Sequence, residues 1–61
     1  MLITKTSMLS GETRSLDLNV NQDQIDLWEG GMVIQNAMPN LSIDEREFIM
    51  TGVTAEEWET M

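Results

Sequence analysis

The pattern of apolar and polar residues is strand-like in the first third of the chain, although it alternates poorly in residues 2–9, and it follows helical spacing in the rest. Between residues 16 and 20, three apolar residues alternate with Asp and Asn, which is the period of a half-buried strand. Residues 2–9 have strand-like side chains, so they and residues 13–20 are predicted to be two strands. Ser10-Gly11 between them is typical of a tight turn, and we expect an antiparallel hairpin.

Capping residues predict three helices in the remainder. Each begins with an Asn, Ser or Thr that is followed three residues later by Gln or Glu, the capping-box spacing. The first is expected to end at Gly30-Gly31, the second to run over residues 43–51 before Gly52, and the third to follow directly. The cap pairs are Asn21 with Gln24, Ser42 with Glu45, and Thr54 with Glu57.

Helical spacing also predicts how the faces of the helices are used. In the first helix, the apolar side is formed by Ile25, Leu27 and Trp28. In the second, one side is shared by Ile43, Glu47 and Met50 with Phe48 and Ile49 flanking it, so the C-terminal half of this helix is expected to be contacted on more than one side. In the third, the residues expected to face inward are Ala55, Trp58 and Met61.

The segment between the first two helices has two interpretations. Residues 32–38 are largely apolar, and both a short buried helical turn and a short strand fit them. Pro39 disfavours helical geometry at Met38, so a break is expected there. The order of elements predicts one small α+β domain over residues 1–61, with a β-hairpin in 1–20 packed on about three short helices in 21–61.

Composition restricts what such a domain can do. A chain of 61 residues forms a thin core, and small domains usually add disulfides, a metal or a partner. This chain has no cysteine and no histidine, the ligands of zinc, copper and haem, so no cofactor is expected. Self-association, such as a homodimer, or a permanent partner remains.

The charge balance is strongly acidic. Eleven acids against three bases give a net charge of −8. Nucleic-acid binding relies on Lys and Arg, so DNA, RNA and anionic lipid are expected to repel the chain, whereas a basic protein surface attracts it. No signal-like segment and no membrane-length apolar run is present, and a cytoplasmic protein is expected.

The chain resembles a group of small acidic bacteriophage proteins over residues 20–61. The resemblance rests on Asn36-Ala37-Met38-Pro39-Asn40-Leu41, on the run from Asp44 to Gly52, and on Thr54 with Glu56-Glu57-Trp58. It implies a bacterial host cell as the setting and perturbation of the host early in infection. It implies no established activity and no catalytic residue.

Catalytic and metal-binding interpretations are weak. Acid–base catalysis near neutral pH usually needs His, or a buried Glu or Lys, and the serines are placed as strand, turn and cap residues. Asp44, Glu45 and Glu47 could bind a hard cation, but the calcium-loop pattern is absent and first-turn acids complement the helix dipole. We therefore expect no enzyme and no metal.

Acidic helix faces and aromatic residues are the candidate binding surface. Small phage proteins can use a lattice of carboxylates to imitate DNA, whereas a merely solvated surface is the simpler interpretation. Aromatics are expected in the core, and Met8, Met32, Met38 and Met50 to add adaptable surface. The candidate partner-binding residues are Asp23, Asp26, Glu29, Glu45, Glu56, Glu57, Glu59, Trp28 and Trp58.

Three functions fit these features. The first is binding to a host protein that is thereby blocked or redirected, in host takeover or as an anti-defence inhibitor. The second is a DNA mimic that occupies a basic nucleic-acid cleft. The third is a structural or assembly accessory of a phage particle. We expect the first, through an apolar patch bordered by acids.

Overall fold

The N-terminal third forms an antiparallel β-hairpin. In the computed structural model, which describes residues 1–60, β1 (Leu2–Thr6) pairs with β2 (Thr13–Asp17). The hairpin prediction is confirmed, but both strands are shorter than the ranges 2–9 and 13–20. The register places Leu2 opposite Asp17 and Thr6 opposite Thr13.

The connection is a six-residue loop over 7–12, so the prediction of a tight turn at Ser10-Gly11 is wrong. Ser7 organises the loop, because its Oγ accepts hydrogen bonds from the backbone N–H groups of Leu9 (3.1 Å) and Ser10 (3.3 Å). The Ser7 N–H itself donates to the carbonyl of Glu12 (2.8 Å). These bonds satisfy three of the six backbone N–H groups of the loop.

The two faces of the hairpin differ. Buried Ile3 and half-buried Lys5 and Arg14 lie on the face that the helices cover. The opposite face is exposed and carries two cross-strand hydroxyl pairs, whose oxygens are 2.7 and 2.9 Å apart. These pairs are Thr4 with Ser15 and Thr6 with Thr13.

Helix α1 (Gln22–Glu29) begins as predicted. The Asn21 side chain accepts a bond from the Gln24 N–H (3.0 Å), and the Gln24 side chain returns to the Asn21 N–H (3.0 Å). Trp28 packs against the core, with the Lys5 ammonium 5.8 Å from its ring centre. The inward placement of Leu27 is wrong, since its side chain is 49% exposed.

The segment 32–38 contains a short helix, α2 (Ile34–Ala37), which decides between the two interpretations. Ile34 and Ala37 are buried. Met38 is fully buried, so its assignment to an adaptable surface is wrong. The Gln24 side chain holds this segment against α1 by donating to the Ala37 carbonyl (3.2 Å).

Helix α3 (Ile43–Thr51) has the predicted bounds and the predicted capping box of Ser42 and Glu45. Phe48 and Ile49 are its buried residues. Ile43 and Met50 lie on the side of the helix away from the core and are exposed.

Gly52 ends α3 at a close approach to the hairpin. Its φ is +76°, a left-handed conformation that favours glycine. A Cβ here would lie 2.9 Å from the Ser7 nitrogen and closer still to the Thr6 carbonyl. The Met8 N–H also donates to the Thr51 carbonyl (3.1 Å), so the end of α3 is fixed to the hairpin loop.

Helix α4 (Ala55–Glu59) starts at the predicted cap, since the Thr54 side chain accepts from the Glu57 N–H (3.4 Å). The Glu57 side chain does not complete a capping box, because it bonds the hairpin loop instead. The prediction that Trp58 faces inward is wrong, as it is 45% exposed. The inward placement of Met61 lies outside the described residues.

One core joins the hairpin and the helices, which confirms the α+β class. Its buried apolar residues come from β1, from α2 and α3, and from the segments that connect β2 to α1, α2 to α3 and α3 to α4. They are Ile3, Leu18, Val20, Ile34, Ala37, Met38, Leu41, Phe48, Ile49 and Val53.

Candidate functional site

The candidate acids fall into three environments. Five are exposed, Glu45 is half-buried and caps α3, and Glu57 is engaged inside the molecule. Of the two tryptophans, Trp28 is half-buried and Trp58 is exposed. The exposed acids are Asp23, Asp26, Glu29, Glu56 and Glu59.

Glu57 is an internal connector between α4 and the hairpin. Its side chain is only 11% exposed, and its carboxylate accepts hydrogen bonds from Ser7 Oγ (2.6 Å) and Ser10 Oγ (3.2 Å). Arg14 forms an ion pair with the same carboxylate. The Glu57 carboxylate is therefore bound by other residues of the same chain. The sequence, in contrast, predicts a carboxylate that is free to bind a partner.

Two of the three basic residues make contacts with other charged or aromatic side chains of the fold. Arg14 pairs with Glu12 and Glu57, and the Lys5 ammonium lies over the Trp28 ring. The Arg46 Nε donates a long bond (3.4 Å) to the Ser42 carbonyl. Because Lys5 and Arg14 face the helices, the carboxylates on the outer surfaces are left largely uncompensated.

An apolar groove with an acidic rim lies where β2, α3 and α4 meet. Its volume is about 350 Å³. Leu16 (37% exposed), Phe48 and Ala55 give it apolar walls. Asp44, Glu45 and Glu56 border it with carboxylates, and Arg14 and Thr54 complete the lining. We call this set of residues the acidic groove.

The acids border the groove because of how the two helices begin. Asp44 and Glu45 lie in the first turn of α3, and Glu56 lies in the first turn of α4. Carboxylates are favoured there by the helix dipole. The first turns of α3 and α4 both border the groove. Each helix therefore contributes its own first-turn carboxylates to the acidic rim.

Sequence reasoning missed this groove as a unit. It identified Glu45 and Glu56, but not Asp44, Leu16 or Ala55, as partner-binding residues. In the sequence, Leu16 has the same place in the alternating pattern as Leu18 and Val20, and only the structure shows that Leu16 is exposed while the other two are buried.

The acids of α1 form a separate surface. Asp23, Asp26 and Glu29 follow one another at three-residue intervals and are exposed. None of them lines the acidic groove. The Asp26 carboxylate accepts a bond from Gln22 Nε2 (2.9 Å). These residues provide a matched surface of equal charge sign that is separate from the acidic groove.

Over residues 1–60, no group of three or more acids is arranged to hold a metal ion. The serine closest to a carboxylate is Ser7, which is 3% exposed and uses its hydroxyl to stabilise the loop. None of the helices in this part of the chain has the length and apolar character needed to cross a membrane.

Comparisons with known proteins give no further guide to the site. No family model matches the sequence, and searches of curated proteins and of solved structures find no match. The candidate function therefore depends on the geometry and charge of the acidic groove.

Proposed function

We propose that the protein is a small acidic binding protein of bacteriophage type, which acts in the host cytoplasm by binding a host protein and blocking or redirecting it. The observation that carries this proposal is the acidic groove. It combines apolar walls with a carboxylate rim, on a chain with a net charge of −8.

The groove has the features of a protein-binding surface. Binding energy at interfaces is concentrated where an apolar anchor enters a pocket from which water is excluded. Leu16 and Ala55 offer such walls, and the fully packed Phe48 gives the groove a rigid base. Rigid walls reduce the entropy lost on binding, because few side chains need to be ordered.

The rim specifies the chemistry of the partner. Asp44, Glu45 and Glu56 favour Lys or Arg on both sides of an apolar anchor. The remaining negative charge speeds encounter with a basic surface and opposes binding to acidic ones. The expected partner is a host protein that presents an apolar side chain within a basic surface.

The phage setting has separate support. It comes from the resemblance of residues 36–41, 44–52, 54 and 56–58 to small acidic bacteriophage proteins. That resemblance implies perturbation of the host early in infection, and a site built of apolar walls and carboxylates is suited to perturb a host protein by binding it. Host takeover and inhibition of a defence protein are both included in this proposal.

Affinity capture from a bacterial lysate tests the proposal. Wild-type protein is immobilised beside the groove variant Asp44→Asn/Glu56→Gln and the α1 variant Asp23→Asn/Glu29→Gln, which lose equal charge. We expect a host protein that wild type and the α1 variant retain and the groove variant loses. Capture of no host protein at moderate salt would contradict the proposal.

DNA mimicry is the second candidate, and the exposed acids of α1 and α4 are the observation that favours it. The molecule is 32 Å long. A duplex of that length carries about 19 charges at roughly one per 1.7 Å, against a net −8 here, so one chain imitates DNA poorly. Mimicry predicts that duplex DNA displaces the chain from the captured protein and that salt weakens the complex steeply. The groove proposal predicts a complex that persists through a moderate rise in salt.

A further inference from the structure

The outer side of α3 carries an exposed stripe that is separate from the acidic groove. Ile43, Arg46, Glu47 and Met50 are spaced by three, four and seven residues, so they follow one face of the helix. They line a shallow depression of about 150 Å³, flanked by Ile34 and Gln35 of α2. We call these four residues the α3 stripe.

The ends of the stripe are apolar and exposed. Ile43 is 77% exposed and Met50 is 44% exposed. The core of the same helix is formed by Phe48 and Ile49 on another side. A chain with so thin a core gains stability by covering such residues, and contact with a second molecule would remove them from water.

The stripe is complementary to itself. Its midpoint falls between Arg46 and Glu47, so two antiparallel copies of α3 related by a two-fold axis place Ile43 opposite Met50 of the other copy. The same axis places Arg46 opposite Glu47. Apolar residues then meet apolar residues and each cation meets an anion, as a two-fold interface requires.

The charges of the stripe are available for this pairing. Among the described residues, neither Arg46 nor Glu47 takes part in an ion pair. One cation and one anion also make the stripe neutral, on a molecule of net charge −8. A second copy can therefore approach here with less repulsion than at the acidic faces.

We propose that a second copy of this chain binds the α3 stripe, forming a two-fold dimer with antiparallel α3 helices. Because one helix face is a small interface, the dimer exchanges with monomer in solution. The acidic groove lies on another side of α3, so it stays open in the dimer. The dimer and the proposed function can fail independently of each other.

Sedimentation equilibrium over a concentration series up to about 1 mM tests the proposal, at physiological salt so that net repulsion is screened. We expect the mass to rise from 6.9 kDa toward twice that value. Ile43→Glu should weaken association about tenfold, equivalent to ~1.4 kcal/mol. Leu27→Glu, the same charge change at an exposed α1 residue, should weaken it far less.

Charge exchange tests the antiparallel register. Arg46→Glu and Glu47→Arg should each weaken self-association, and an equimolar mixture of the two variants should associate again as a heterodimer. A wild-type chain that stays monomeric throughout, equal effects of Ile43→Glu and Leu27→Glu, or a mixture that fails to associate would each overturn the proposal. Circular dichroism of every variant confirms that it is folded.

Discussion

Glu57 of α4 accepts a 2.6 Å hydrogen bond from Ser7 of the hairpin loop, across a separation of 50 residues. Ser7 in turn accepts two backbone N–H bonds within its loop. One carboxylate thus joins the last described helix to the loop between the two strands. The same contact positions α4 beside β2, and so forms one wall of the acidic groove.

Replacing Glu57 with Gln should destabilise the protein measurably. The substitution removes the ion pair with Arg14 and weakens the bonds from Ser7 and Ser10. We expect a loss of about 1–3 kcal/mol in the free energy of unfolding, the range for hydrogen bonds to a largely buried charge. Urea unfolding followed by circular dichroism measures it.

Glu56→Gln is the matched control, because Glu56 is the adjacent residue, has the same charge and is exposed. Its effect should stay within about 0.5 kcal/mol. Equal effects of the two substitutions would show that Glu57 does not fix α4 to the loop.

Gly52→Ala should destabilise the protein far more than Gly11→Ala. Both glycines have a φ of +76°, so both substitutions incur left-handed strain of about 1–2 kcal/mol. Only at Gly52 would the new Cβ meet the backbone of Thr6 and Ser7, whereas nothing lies within 4 Å at Gly11. The overlap should cost about 1–3 kcal/mol more.

Thermal unfolding of the two variants measures the difference. A lower transition temperature for Gly52→Ala than for Gly11→Ala is the expected result. Equal transition temperatures would mean that α3 does not end against the hairpin as described.

Replacing Phe48 with Ala should destabilise the protein far more than replacing Trp58 with Ala. Phe48 is 1% exposed, and removal of a buried Phe costs about 3–5 kcal/mol. That is comparable with the whole stability of a domain this small, so Phe48→Ala should unfold it. Trp58 is 45% exposed, and its replacement should cost about 0.5–1 kcal/mol. Amide chemical-shift dispersion in NMR spectra separates the outcomes, and dispersed spectra for both variants would contradict the described core.

The parts of the fold that depend on neighbouring residues could be predicted from the sequence. The cap residues Asn21, Ser42 and Thr54 and the hairpin were expected and are confirmed. Caps, stops and strand alternation depend on chemistry within a few residues. The bounds of α3 agree with the prediction for the same reason.

The parts that depend on tertiary packing could not be predicted. Glu57 has the spacing of a capping-box residue, yet its carboxylate finds Ser7, Ser10 and Arg14 on the hairpin. Trp58 looks like a core residue, but it is 45% exposed, whereas Phe48 and Val53 are buried. The acidic groove was missed for the same reason, since three elements far apart in sequence form it.

The most direct test of the central claim is the affinity of the captured host protein for three forms of the chain, measured by isothermal titration calorimetry. These are wild type, the groove variant Asp44→Asn/Glu56→Gln and the α1 variant Asp23→Asn/Glu29→Gln. We expect the groove variant to bind at least about tenfold more weakly, equivalent to ~1.4 kcal/mol, and the α1 variant to remain close to wild type. A binding site at the acidic groove would be contradicted if both variants weakened the affinity equally, or if neither variant weakened it.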